Sequence, residues 1–149
     1  MLSAIHHLTI IHYPPGGGWT SEDIVEPTWP MVEQAIRRMD DVEYPIVQLN
    51  PSDDDEEEAI FNVIGGNGRW AIFHFFGEWQ YDDPKGGEAE VQLWQSDQGY
   101  FCKERNLIRD VERVLRITKA YFDTASYEEV DRIAQAELAL NEQFDGSVA

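Results

Sequence analysis

A turn rich in glycine between two apolar runs is the feature that most constrains the fold. The runs are Ala59–Ile64 and Arg69–Phe76, and they flank Gly65-Gly66-Asn67-Gly68. Glycine and asparagine tolerate the positive φ angles of a tight reversal, while β-branched and aromatic neighbours favour strands, so the pattern predicts a β-hairpin. Alternate side chains point to opposite faces of a strand, and both faces of the second run are largely apolar. We therefore expect this strand to be covered, at least in part, on both sides.

The rest of the chain divides into further strands and three amphipathic helices. The predicted strands are Ser3–Tyr13, a short stretch around Ile24-Val25, Tyr44–Leu49, Glu90–Gln95 and Tyr100–Cys102. The predicted helices are Trp29–Met39, Leu107–Phe122 and one that begins at the capping box Ser126-Tyr127-Glu128-Glu129. Consecutive strands with short turns favour antiparallel pairing. This order predicts an α+β fold: a curved, mainly antiparallel sheet of about five to six strands with helices packed on one face, in a single domain over residues 1–149.

The net charge limits the partners that the chain can bind. Its 149 residues carry a net charge of −18. Such an excess of carboxylates repels nucleic-acid backbones and anionic membrane surfaces, and it favours a basic protein partner. A need for high solubility or a halophilic source would also account for this charge.

Cysteine content and hydropathy bear on the compartment. Cys102 is the only cysteine, which excludes an internal disulfide and suits a reducing environment. The first residues lack the basic and apolar regions of a signal peptide, and no apolar run approaches the length of a membrane span. We expect a soluble, cytoplasmic protein.

The acidic residues are unevenly distributed along the chain. Residues 1–102 hold 19 acids and 4 bases, a net charge of −15, whereas residues 103–149 hold 10 acids and 7 bases, a net charge of −3. Carboxylates steer a basic partner, and loop aromatics supply buried contact area. The predicted partner-binding residues are Asp53, Asp54, Asp55, Glu56, Glu57, Glu58, Trp79, Tyr81, Asp82 and Asp83.

Motifs for catalysis or cofactor binding are weak. His6 and His12 share a strand face but lie about 20 Å apart at roughly 3.3 Å per residue, which is too far to chelate one ion. Cys102 stands in a strand-like run, where a packed thiol is the usual outcome, and the GGNG turn opens a strand rather than a phosphate-binding helix. We expect no catalytic residue, metal or cofactor. The alternative is a small enzyme or ligand-binding domain with a pocket on the sheet near Trp70, His74 and Trp94, and a plain scaffold subunit is a third possibility.

Several segments together resemble a family of bacterial proteins. They are WPMVEQAIRRMDD, PIVQL, the acidic gap, AIFNVIGGNGRWAIFHF and the amphipathic NLIRDVERVLRITKAYF, which together span residues 28–125. This layout resembles the immunity proteins of polymorphic toxin systems, especially the family often paired with deaminase toxins. The resemblance implies a cytoplasmic antidote without catalytic residues, which binds its cognate toxin and blocks the active site of that toxin.

Overall fold

The computed structural model describes residues 4–51, 60–74, 79–94 and 100–148, with side chains up to residue 140 in the last helix. Seven strands and three helices lie in these ranges. The strands are β1 (His7–His12), β2 (Thr20–Val25), β3 (Ile46–Asn50), β4 (Phe61–Gly66), β5 (Arg69–His74), β6 (Glu90–Leu93) and β7 (Tyr100–Lys103). The helices are α1 (Trp29–Arg38), α2 (Val111–Thr124) and α3 (Tyr127–Val148).

Five of the strands form one antiparallel sheet in the order β2-β1-β3-β4-β5. The predicted hairpin is confirmed as β4 and β5. Asn67 and Gly68 make the reversal with φ angles of 56° and 92°, which are the positive values that a two-residue turn between twisted strands requires. The prediction of an α+β fold with a mainly antiparallel sheet is therefore confirmed.

The three helices pack on one face of this sheet, as predicted. That face presents Val47, Leu49, Val63 and Ile72, all with 0–1% of their surface exposed. The helices add apolar residues to the same cluster, among them Ile36 from α1, Ile117 from α2 and Val130 from α3. No helix in the described ranges is long and apolar enough to cross a membrane.

The opposite face of β4 and β5 is covered by a separate hairpin of β6 and β7. Ile64 and Ala71 are buried there against Leu93 and Cys102. The sequence pattern placed the last two strands in the main sheet, which is wrong. They pack across it because Ile108 already pairs with Trp70 on the outer edge of β5. The expectation that β5 is covered on both sides is confirmed.

Two element boundaries differ from the predicted ones. Leu107 and Ile108 are extended rather than helical, because Asp110 caps α2 by accepting a hydrogen bond of 3.0 Å from the backbone N–H of Glu112. The strand predicted around Ile24-Val25 is real but longer, since all of Thr20–Val25 pairs with β1.

Candidate partner-binding surface

The aromatic residues of the loop after β5 are held by the fold. Tyr81 is only 2% exposed, and its backbone N–H donates to the carbonyl of Ile72 at 2.9 Å. Burial raises the pKa of Tyr81, although a hydrogen bond of 3.3 Å from Arg113 opposes that shift. The expectation that Tyr81 stands on the surface is wrong. The loop composition of Asp, Pro and Gly hid a short extended stretch that lies along the edge of β5 and buries this ring.

Trp79 is only partly accessible. Its ring packs against the helix-side core, and its Nε1–H donates to Asp131 of α3 at 3.0 Å. This contact links the loop to the last helix. The same indole therefore has a structural role, which the sequence pattern did not indicate.

The two carboxylates that follow Tyr81 are in different environments. Asp82 accepts two hydrogen bonds from the guanidinium of Arg105, at 2.6 and 2.8 Å, so most of its charge is neutralised within the chain. These bonds and a second pair with Glu88 raise the pKa of Arg105. Asp83 accepts a backbone N–H from Lys85 at 3.0 Å, and its own carbonyl accepts the N–H of Gly86 at 2.9 Å. Both predicted contact residues are thus engaged within the chain, one by an ion pair and the other by a turn.

The six acids Asp53–Glu58 lie outside the described residues. In the chain they fall between the end of β3 at Asn50 and the start of β4 at Phe61, which are two neighbouring strands of the main sheet. Their role as partner contacts stays a prediction.

Most positive charge of the protein is used in internal ion pairs. Eight of the eleven Lys and Arg side chains lie within 4.0 Å of a carboxylate of the same chain, namely Arg37, Arg69, Lys103, Arg105, Arg113, Arg116, Lys119 and Arg132. A ninth, Arg38, lies over the ring of Tyr44 at 4.2 Å. The positive groups therefore do little to offset the field of the remaining carboxylates on the surface.

One end of the main sheet has no Lys or Arg in its sequence. Residues 4–36, which include β1 and β2, hold four acids and no Lys or Arg. Three histidines of this region each pair with a carboxylate: His6 with Glu26 at 2.7 Å, His7 with Asp23 at 3.0 Å, and His12 with Glu43 at 3.6 Å. This end of the sheet, which the sequence pattern treated mainly as a connection, is the described surface where negative charge is least balanced by Lys and Arg.

The predicted pocket near Trp70, His74 and Trp94 does not exist as one site. Trp70 belongs to the helix-side cluster, and His74 packs edge-on against Tyr127 of α3 at 4.9 Å. Trp94 lies in the cluster under β6 and β7, beside Tyr13 at 4.9 Å. The three side chains are thus divided between opposite faces of the sheet, which contradicts the predicted pocket.

The remaining reactive groups are arranged for packing. Burial raises the pKa of Cys102 to about 11, so the thiol is protonated at neutral pH and is a poor nucleophile. Within the described ranges, no three His, Cys, Asp or Glu side chains come together as metal ligands. A cleft of about 450 Å³ beside Tyr81 has Arg109 and Arg113 in its wall, but Glu104 and Asp110 line it too, which favours no ligand of either charge.

Comparisons with known proteins add no relative. The chain matches no family model, no curated protein and no solved structure. A function must therefore be inferred from the charge and geometry of the molecule itself.

Proposed function

We propose that this chain is an immunity protein: a cytoplasmic antidote that binds a basic toxin domain, a deaminase or a nuclease, and blocks its active site. The observation that carries the proposal is the distribution of charge. A net charge of −18 remains on a molecule whose Lys and Arg residues are mostly paired internally. Such a surface is suited to a strongly basic protein.

The electrostatics suit an antidote because a toxin must be neutralised before it acts. Opposite charge on two proteins raises the association rate constant from about 10⁵–10⁶ to as much as 10⁸–10⁹ M⁻¹s⁻¹ at low salt. Deaminases and nucleases act on polyanions, so their active sites are rich in positive charge. An acidic protein that covers such a site competes directly with the substrate.

The features of the interior support binding rather than catalysis as the function. The buried Cys102 thiol is protonated, and the Asp82 carboxylate is held by Arg105. The proposed antidote supplies shape and charge, and no bond is made or broken by its side chains.

The direct experiment uses the gene next to the one that encodes this chain. We expect the upstream reading frame to end in a small basic toxin domain. Expression of that domain alone should arrest bacterial growth, and co-expression of the full chain should restore it, with a 1:1 complex on gel filtration. A toxin domain that remains lethal and elutes separately would contradict the proposal. A matched control is the toxin domain from an unrelated system, which the chain should not neutralise.

A further inference from the structure

The two edges of the five-stranded sheet differ in how their backbones are paired. On the β5 edge, Trp70 and Ile108 exchange two backbone hydrogen bonds of 2.9 and 2.7 Å, and the loop after β5 adds two more. On the other edge, no segment of the described chain pairs with Thr20–Val25 on the side away from β1. Five of the six residues of β2 are exposed. Within the described ranges, β2 is therefore the open edge of the sheet.

The direction of the backbone groups along β2 follows from one hydrogen bond. Glu26, directly after the strand, donates its N–H to the carbonyl of His6 at 2.8 Å. Backbone N–H and C=O groups alternate in direction from residue to residue in an antiparallel pair. The even-numbered residues of β2 therefore pair with β1. Ser21, Asp23 and Val25 point their N–H and C=O groups outward, where another strand could pair with them.

The strand lacks two of the usual protections of a sheet edge. Natural edge strands commonly carry lysine or proline, which discourage pairing with another chain. The sequence of β2 is TSEDIV, which contains neither. Trp19, directly before the strand, is 62% exposed, and Val25 at its end is 55% exposed. An exposed tryptophan beside an open edge is well placed to anchor an added strand.

The charges of this edge indicate which strand it accepts. Glu22 and Asp23 lie in the middle of β2, and no Lys or Arg precedes Arg37 in the chain. If a second copy paired antiparallel with β2 about the middle of the strand, either Glu22 would face Glu22 of that copy or Asp23 would face Asp23. Like charges directly opposite each other are destabilising in a sheet. A basic strand instead places Lys or Arg against both carboxylates.

We propose that β2 is a docking edge, onto which an extended basic segment of a protein partner adds as a sixth strand of the main sheet. Its backbone pairs with Ser21, Asp23 and Val25, while Trp19 packs against one of its side chains. This inference rests on the proposed function, since it names the edge at which the basic partner is held.

The first test uses a short peptide of alternating lysine and valine as the probe. Titration of the full chain should slow hydrogen exchange of the Ser21, Asp23 and Val25 amides by about tenfold or more, measured by NMR. Two control peptides should have no such effect: one with glutamate in place of lysine, and one N-methylated at alternate residues so that its edge cannot pair. Protection from the N-methylated peptide equal to that from the parent, or no protection by the parent peptide, would overturn the proposal.

A pair of variants at one position tests the same edge in the protein. Ser21→Pro removes an outward N–H that β1 does not use, while Ser21→Ala keeps it. We expect peptide affinity to fall about tenfold in Ser21→Pro and to stay within about twofold in Ser21→Ala, with similar thermal midpoints for the two variants.

The same variants separate this inference from the proposed function. If the cognate toxin binds both variants equally, the docking edge is wrong and the antidote function stands. If the toxin fails to bind the wild type while the lysine peptide still protects Ser21, Asp23 and Val25, the function is wrong and the edge assignment stands.

Discussion

Asp40, directly after α1, organises the turn that leads into β3. Its Oδ1 accepts backbone N–H groups from Val42, Glu43 and Tyr44 at 3.0, 2.9 and 2.9 Å. Burial by itself raises the pKa of Asp40, but these hydrogen bonds to the ionised form outweigh it, and the net pKa is lowered. An acid that is unfavourable for the end of a helix is thus retained because it satisfies three donors of the next turn.

The contribution of Asp40 to stability should depend on pH. We expect Asp40→Ala to lower the free energy of unfolding by about 1–3 kcal/mol at pH 7, because three backbone donors lose a charged acceptor. The pKa of Asp40 is lower in the folded state than the ordinary 3.8, so its stabilisation is present above that pH and is lost as the pH falls through the folded value. Urea unfolding of wild type and variant at pH 7 and near pH 3 measures the difference.

The matched control for Asp40 is Asp123→Ala, which removes an exposed carboxylate that pairs with Lys119 on the same helix. We expect that control to cost less than about 0.5 kcal/mol. Equal costs for the two variants, or a cost of Asp40→Ala that does not shrink at low pH, would contradict the role given to Asp40.

At the scale of elements, the central hairpin is positioned by a glycine that touches the end of α1. Gly66 at the end of β4 has a φ of 127°, and a Cβ on it would lie 2.5 Å from the backbone N of Asp40. Both the backbone conformation and the close approach of the helix end therefore require glycine there.

Replacement of this glycine should separate the hairpin from the helix. We expect Gly66→Ala to lower the free energy of unfolding by about 2–5 kcal/mol, from backbone strain together with the clash against Asp40. Gly16→Ala is the control, since a Cβ at Gly16 meets nothing within 4 Å. Chemical denaturation of both variants measures the costs, and equal values would refute the contact between β4 and α1 as the cause.

The elements that could be predicted from the sequence are those whose pattern is set locally. The hairpin was predictable because its turn chemistry and both apolar runs agree, and α1 because its apolar stripe recurs at helical spacing. Thr20–Val25 was predicted only in part, since an exposed edge strand has few apolar residues to mark it. Apolar spacing predicts helix over the extended Leu107-Ile108 stretch, because such spacing does not reveal a pairing with Trp70.

The candidate site was harder to predict than the fold. Trp79 and Tyr81 have the composition of loop residues, yet long-range contacts with Asp131 and Arg113 bury or hold them. Ion pairing is equally invisible in the sequence, because Asp82 and Arg105 lie 23 residues apart. Acidity could be predicted from composition, but the placement of the unbalanced acids depends on which carboxylates the arginines select.

At the scale of the whole molecule, the excess of carboxylates is the property that connects the structure to a function. With a net charge of −18 and most Lys and Arg side chains paired internally, the protein attracts basic partners from a distance. The central claim is that this long-range attraction serves the capture of a basic toxin.

The most direct test is the association rate constant between the chain and its cognate toxin, measured by stopped flow from about 20 mM to about 500 mM salt. We expect the rate constant to fall by about tenfold or more over this range, and the dissociation rate constant to change far less. Neutralising Asp53–Glu58 to Asn and Gln should lower the rate constant at low salt and flatten its salt dependence. An association rate constant that does not change with salt, in the wild type as in the neutralised variant, would contradict the claim.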